Sequence, residues 1–270
     1  MENYWNNKVA LITGASSGIG ASIARNFASH GLTVVLIARR QNKLEQVAEQ
    51  ITNNGGKVLL FTADLSKEAE RVAVMQTIIE KVGVPDILVN NAGIGYYGYF
   101  AQMPWDVARD LIRLNIEATT HFTSMLLPAM LIKPKARIIN IGSIMGKMPE
   151  QGVALYAASK GYVDSFTKSI YRDLRGTNVS ISVLRPGPVK TEFFDRSETY
   201  ENGGRIPAEQ FAVSADRVAQ AAWSLINHPC RYRYVPFFMA ASVLLEGLFS
   251  WVIDLVGPAM LILRDKKKLS

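Results

Sequence analysis

The chain has 270 residues, 49% of them hydrophobic and 20% charged, enough apolar material for one large core, and no proline-, serine- or charge-rich linker divides it. A net charge of +7 does not point to nucleic acid: the basic residues are dispersed, and the one dense cluster, Arg264, Lys266, Lys267 and Lys268, has neither interleaved aromatics nor zinc-ligand spacing beside it. The single cysteine, Cys230, excludes an intramolecular disulfide and reads as a buried neutral thiol in a reducing compartment.

Residues Met1 to Lys8 lack the charged and long apolar regions of a secretory signal, so the expected location is cytoplasmic. Lys8 to Thr13 reads as a first strand that stops at the glycine turn Gly14-Ala15-Ser16-Ser17-Gly18-Ile19-Gly20. Ile19, Ile23 and Phe27 then recur at helical spacing until Gly31. A second strand, Thr33 to Ala38, meets Arg39-Arg40 and a helix with the apolar stripe Leu44, Val47, Ala48 and Ile51. Val58 to Thr62 is a third, followed by Asp64-Leu65, a helix cap at Ser66, and a helix with Val72, Met75, Ile79 and Val82. Ile87 to Val89 is a fourth, ending in Asn90-Asn91-Ala92-Gly93. Beyond the tyrosine-rich loop Gly95 to Phe100, Pro104 suits the first turn of one long helix carrying Val107, Leu111, Leu114, Ala118, Phe122 and Met125, with Asn115 inside it.

Arg137 to Ile141 is a fifth strand, ending at Gly142-Ser143, and a helix holding Tyr156 and Lys160 runs on toward Leu174. Val179 to Leu184 is a sixth, ending at Arg185-Pro186-Gly187-Pro188. Lys190 to Ala212, polar but with Phe193, Phe194, Tyr200 and Phe211, reads as a lid over a pocket. Ser214 to Leu225 is a further helix and Tyr232 to Val235 a last strand. Short apolar strands separated by helices predict a sheet covered on both faces. The fold class is therefore α/β, a doubly wound Rossmann fold with about seven strands, mostly or wholly parallel.

Three features carry chemistry. The glycines at 14, 18 and 20, between a strand and a helix, let the backbone approach a pyrophosphate, although their spacing departs from the usual dinucleotide fingerprint. At the end of the second strand, Ala38-Arg39-Arg40 offers arginines and no carboxylate, which favours a 2′-phosphate and hence NADP over NAD. Tyr156 and Lys160, four apart on a helix, share one face, where a nearby ammonium would draw the phenol down from its usual pKa of about 10.

With these motifs in order, the sequence resembles the classical short-chain dehydrogenase/reductase family over nearly all of residues 1–235. Thr13 to Gly20 is similar to the family's cofactor turn and Asn90-Asn91-Ala92-Gly93 to its mid-chain motif. Ser143 with Tyr156-Ala157-Ala158-Ser159-Lys160 resembles its catalytic serine and Tyr-x-x-x-Lys, and Asn115 the asparagine completing its tetrad. The resemblance implies that Ser143 binds the substrate oxygen, Tyr156 exchanges its proton with that oxygen, Lys160 lowers the tyrosine pKa and holds the nicotinamide ribose, and Asn115 holds a relay water. It further implies cofactor contacts from Gly14, Ser16, Ser17, Gly18, Ile19, Gly20, Arg39, Arg40, Asp64, Leu65, Asn91, Ala92 and Gly93. Tyr156, Lys160, Pro186, Gly187, Val189 and Thr191 complete the implied set, with no metal.

The implied activity is NADP(H)-dependent interconversion of a carbonyl and a secondary alcohol on an apolar substrate, in a homodimer or homotetramer. The alternatives are a noncatalytic NADP-binding sensor or scaffold and a membrane-associated lipid, sphingoid or steroid ketoreductase. The resemblance ends near residue 235, so 1–235 is taken as the Rossmann domain, with a lid at 190–212, and 236–270 as an apolar extension. No stretch of it reaches the ~20 uninterrupted apolar residues of a spanning helix. Ser242, Glu246, Ser250 and Asp254 would form one polar stripe on a helix, leaving Val243, Leu244, Leu248, Phe249, Trp251, Val252 and Leu255 to be covered by the domain, a partner subunit or the cytoplasmic face of a membrane.

Overall fold

In the computed structural model, which describes residues 4–204, 212–246, 249–251 and 254–255, the predicted strands assemble into one parallel sheet. The strands are β1 Val9–Thr13, β2 Thr33–Ala38, β3 Lys57–Thr62, β4 Ile87–Asn90, β5 Ala136–Ile141, β6 Val179–Pro186 and β7 Tyr232–Val235. Their order is β3-β2-β1-β4-β5-β6-β7, and all six pairings are parallel. Sequence order reverses between β1 and β4, so the crossovers leave on opposite sides there and open a crevice above the strand ends.

The α-helices around the sheet and its cleft are α1 Gly18–Ser29, α2 Gln41–Asn53, α3 Glu68–Val82, α4 Trp105–Ile112, α5 Ala118–Met130, α6 Ala154–Asp173, α7 Phe193–Glu198 and α8 Ala215–Asn227. Successive residues of a strand face opposite sides, so β1 splits its apolar run. Ala10 and Ile12 enter a layer with Phe27 of α1, Leu44 of α2 and Leu225 of α8, whereas Leu11 enters a layer with Met75 of α3, Phe122 of α5 and Leu174. A smaller cluster of Tyr96, Tyr97, Leu111, Val153 and Tyr156 lies beside the crevice.

The structure departs from expectation in several places. The long helix is interrupted by a π-turn at Arg113–Glu117 that contains Asn115; such bulges re-aim one side chain without ending the helix. The α3 helix is capped at Lys67, not Ser66, because Ser66 spends both its N–H and its hydroxyl on the Asp64 carboxylate. Its buried face is Arg71, Val74, Met75 and Ile78, with Ile79 exposed, since the Arg71 guanidinium is itself bound by the Leu65 carbonyl and His121. Cys230 is half-buried, its thiol on the Tyr232 carbonyl.

In the extension, residues 239–246 are helical, yet Leu244, Leu245, Phe249, Trp251 and Leu255 are exposed, as are Phe237 and Phe238. Met239 of the extension meets Gly187 of the domain, whereas these side chains are open to solvent. Leu248 and Val252 of the predicted stripe lie outside the described residues. No described helix is long and apolar enough to cross a membrane.

A polar chain crosses the core. The Asn90 amide donates to Thr123 Oγ1 at 3.0 Å and Asn140 Oδ1 at 2.8 Å, and the Asn140 amide donates to Thr167 Oγ1 at 2.8 Å. This ties the ends of β4 and β5 to α5 and α6, the two helices that carry or follow the candidate catalytic groups. Asn140→Ala should destabilise the fold by about 1–3 kcal/mol for each partner left unsatisfied, read as a lower midpoint in urea unfolding. An unchanged midpoint would show that the network contributes nothing.

Candidate active site

A cavity of about 650 Å³ opens over the strand ends at the reversal of the sheet. Its floor is the glycine turn. Gly14 and Gly18 have φ of +66° and +57°, and a Cβ on Gly14 would lie 2.8 Å from the Ala92 Cα. On Gly20 it would fall 2.5 Å from both the Gly14 carbonyl and the Asn91 amide. Ser17, at the N-cap of α1, makes no side-chain cap, so the first-turn N–H groups face the cleft without that partner. A pyrophosphate fits such a cradle of backbone donors at a helix N-terminus.

Asn91 braces this turn, donating to the Thr13 and Gly14 carbonyls at 2.9 and 3.1 Å. Thr13 Oγ1 in turn accepts from the N–H groups of Asn91 and Ala92, both at 3.0 Å. Asn91 therefore holds the turn's shape, while Ala92 and Gly93 line the cleft behind it.

Ser143, Tyr156 and Lys160 converge at the end of β5. Ser143 is hydrogen-bonded to the phenol of Tyr156 and accepts from Met145 N at 3.1 Å. Lys160 donates to the Ile141 carbonyl at 2.8 Å, and its ammonium lies 5.9 Å from the Tyr156 ring centre. The expected lowering of the Tyr156 pKa is not what this arrangement produces. Burial pushes the phenol up to about 12 against the opposing hydrogen bond from Ser143, and burial brings Lys160 down to about 8. The Lys160 ammonium is hydrogen-bonded to a main-chain carbonyl and not to the phenol, so burial dominates the phenol's shift.

Asn115 is fully buried and points out of the π-turn toward the same place, with a Cβ on Gly93 falling 3.0 Å from its Oδ1. Its Oδ1 accepts from Ile94 N at 2.9 Å, and its amide donates to the Ile94 carbonyl and to Ser159 Oγ, each at 3.0 Å. Ser159 Oγ donates onward to the Tyr156 carbonyl at 2.7 Å. Asn115 thus clamps the loop after β4 to the turn of α6 that carries Tyr156 and Lys160, and Asn115 itself does not line the cavity.

At the other end of the cleft the arginines divide. Arg39 is half-exposed and 3.8 Å from Asp64, whereas Arg40 turns inward, donating to Ser17 Oγ at 2.6 Å and Ser16 Oγ at 3.3 Å. Leu65 lines the cavity, but Asp64 and Gly20 do not. The Asp64 carboxylate closes the turn to Ser66, and Gly20 acts by letting α1 approach the turn.

Pro186, Gly187, Val189 and Thr191 form the opposite wall, with Thr191 against Gly18 and Met239 of the extension against Gly187. The lid is anchored at its base by Val189 pairing with Val213, and at its middle by Tyr97 N donating to Ser197 Oγ at 2.7 Å. It brings Phe193 onto Tyr156, ring centres 5.5 Å apart. Phe211 lies outside the described residues.

Sequence reasoning missed several supports. Asp164, buried on α6, binds Arg185 of β6 through Arg185 Nε at 2.7 Å and also pairs with Lys147 and Lys168. Burial alone would raise its pKa, but hydrogen bonds from Lys147, Arg185 and Lys168 hold the carboxyl below its usual range. Arg185 also lies against the Tyr232 and Tyr234 rings, 4.1 and 4.9 Å from their centres. Apolar-periodicity arguments pass over such residues, since a buried ion cluster leaves no repeat in the sequence.

The model of the family described as short chain dehydrogenase matches residues 8–202. The chain is 31% identical over 228 residues to the 3-oxoacyl-[acyl-carrier-protein] reductase FabG of Escherichia coli, covering 83% of this chain and 92% of that protein. Among solved structures, it is similar to a short chain dehydrogenase/reductase from Burkholderia phymatum in complex with NAD. The TM-score is 0.83 and the identity 26%, with 93% of this chain and 96% of that chain covered. A short-chain dehydrogenase from Sphingobium yanoikuyae in complex with NADPH matches with TM-score 0.78 and 29% identity, covering 92% and 95%.

Proposed function

This chain belongs to the short-chain dehydrogenase family and is an oxidoreductase, and on that premise we propose that it interconverts a carbonyl and a secondary alcohol on an apolar substrate, with NADP(H) as cofactor and Tyr156 as general acid or base. The observation that carries this reading is the convergence of Ser143, Tyr156 and Lys160 in the same cleft as the glycine turn. The nicotinamide, held between the glycine turn and the wall of Pro186, Gly187, Val189 and Thr191, would exchange hydride with the substrate carbon.

The chain's own groups handle the proton. Ser143 and Tyr156 present two hydroxyls at one place, where both can donate to a carbonyl oxygen gaining negative charge. Burial keeps the Tyr156 proton in place at neutral pH. The phenol is therefore the proton source, which suits reduction. Lys160 supplies positive potential beside the phenolate left behind, and Asn115 with Ser159 fixes the helix turn that carries both.

Solved relatives hold either NAD or NADPH, so the choice rests on residues at the end of β2. Arg40 beside Ser16 and Ser17, with no acidic residue following β2, supports a 2′-phosphate. Tyr97, Met145, Met148, Val153 and Phe193 make the substrate side apolar. The assay that tests the reading is consumption of NADPH with a panel of apolar ketones and aldehydes. A 3-oxoacyl thioester belongs in the panel because the Escherichia coli relative is a 3-oxoacyl reductase.

Tyr156→Phe removes the proton and keeps the ring, so kcat should fall by roughly 10²–10⁴-fold while the NADPH Kd moves by no more than about twofold. Wild-type turnover in that variant would sink the assignment. The pH profile should be one-sided. Reduction needs Tyr156 protonated, which holds up to about 12, and Lys160 charged, which holds below about 8. The kcat/KM for reduction should therefore stay level below pH about 8 and decline above it. A profile level through that value would remove Lys160 charge from the mechanism.

The exposed apolar residues of the extension support a second part of the reading, an interface with another copy of the chain. At ~25 cal/mol per Å², leaving Leu244, Leu245, Phe249, Trp251 and Leu255 in water would cost several kcal/mol. Closed homo-oligomers are the common way to cover such a face, and the Lys266 to Lys268 cluster is short for stable anchoring by charge alone. Replacing Leu244, Leu245 and Trp251 together with glutamine should lower the oligomeric state measured by light scattering. If the state is unchanged and the wild-type chain floats with anionic phosphatidylglycerol vesicles while the variant does not, the face meets a membrane and the subunit reading is wrong.

A further inference from the structure

The mouth of the cleft at the end of β2 holds more charge than the glycine turn requires. Arg40 and Lys43 come from the start of α2, and Ser16 and Ser17 from the turn. Arg196 reaches in from the lid helix α7 to line the same cavity as Arg39 and Arg40, and burial, followed by the nearby Arg40, lowers its pKa. This cationic set already has an anion. Glu192, the residue that leads into α7, accepts from Arg40 Nη1 at 2.7 Å and is also bound by Lys43. Those two hydrogen bonds, Lys43 first, bring its carboxyl down to about 2, so it is ionised at any working pH.

Resting on the NADP reading above, we propose that Glu192 is a tethered competitor for the 2′-phosphate site and so sets the preference between NADP(H) and NAD(H). A phosphate monoester carries about −1.5 to −2 charges at neutral pH and three acceptor oxygens, more than one carboxylate can offer Arg40, Lys43 and the two serine hydroxyls. The phosphate displaces Glu192, and the lid loses its tie to α2. A cofactor without the 2′-phosphate leaves the Glu192 contacts in place. The consequence reaches the chemistry through one short piece of chain: Phe193, next to Glu192, packs on the Tyr156 ring, and Thr191, on its other side, packs on Gly18. Recognition of the adenosine end is thereby linked to the cover over the reacting end.

The test uses the full chain and Glu192→Gln, which keeps the side chain's size and removes its charge. Dissociation constants would be measured calorimetrically for NADPH and NADH, and for the fragments 2′,5′-ADP and 5′-AMP, which need no turnover. The expected result is tighter binding of NADPH and 2′,5′-ADP by about tenfold in the variant, with NADH and 5′-AMP shifted by no more than about twofold. Trypsin cleavage after Arg196 should be accelerated by 2′,5′-ADP in the wild type and be already fast, and insensitive to 2′,5′-ADP, in the variant. Equal shifts for all four ligands, weaker NADPH binding, or no change in the variant would overturn the proposal while leaving the NADP reading intact. Wild-type protein that binds 2′,5′-ADP no better than 5′-AMP would overturn both.

Discussion

Everything functional in this molecule depends on one constraint, the close contact between the ends of β1 and β4 where the order of the sheet reverses. Parallel strands with right-handed crossovers send their helices to opposite faces on either side of that point, so no helix fills the space above it. The seam is then locked by short polar reach. Thr13 Oγ1 takes two main-chain N–H groups from the end of β4, and the Asn91 side chain returns two bonds to the glycine turn. Glycine at 14 and 20 is a consequence, since a side chain at either would strike the other strand end or the bracing amide. The cradle for a phosphate and the packing of the sheet are thus one arrangement.

The second organising effect is burial of ionisable groups. Tyr156 and Lys160 are both nearly sealed from water, and each is pushed toward its neutral form, the phenol upward and the amine downward. A phenol that holds its proton this firmly is poor as a resting base and suitable as an acid in a site where charge develops on a neighbouring oxygen. The supports that hold these groups are polar and buried as well. The Asn115–Ser159 bridge, the Asn90–Asn140 chain and the Asp164–Arg185 pair each join α6 or its neighbours to a strand end, and each is satisfied by several partners. Such networks fix position more than they add stability.

What could be read from the sequence follows from which forces leave a period. The seven strands came through within a residue or two at their ends, because runs such as Val9-Ala10-Leu11-Ile12 and Arg137-Ile138-Ile139-Asn140-Ile141 have to be buried on both faces. The glycine turn, Ser143, Tyr156 and Lys160 were legible because they fall at strand ends or at helical spacing. The rotation of α3 was not: its core-facing Arg71 looks like a surface residue until the Leu65 carbonyl is seen beneath it. The π-turn at Asn115 left no trace either, since Val107, Leu111, Leu114 and Ala118 keep a helical period across it. At the end of β2 the residue types gave the chemistry, but which arginine turns inward depends on Ser16 and Ser17 across the cleft.

The segment from Pro186 to Glu198 shows how these layers meet. It leaves β6 beside Arg185, whose guanidinium is fixed by Asp164 and two tyrosine rings, so its starting direction is set by the buried core. Along it, Gly187 is contacted by Met239 of the extension, Thr191 covers Gly18 of the phosphate turn, Glu192 reaches α2, and Phe193 covers Tyr156. One stretch of chain therefore touches the extension, the glycine turn and the Tyr156 ring within a few residues. Phe193 makes an apolar contact with Tyr156, and the neighbouring Glu192 makes an ionic tie to Arg40 and Lys43. The segment is tied down by the Val189–Val213 bridge, the Tyr97–Ser197 hydrogen bond and the Glu192 ion pairs, and of these three only the ion pairs are of a kind that a bound anion would compete with.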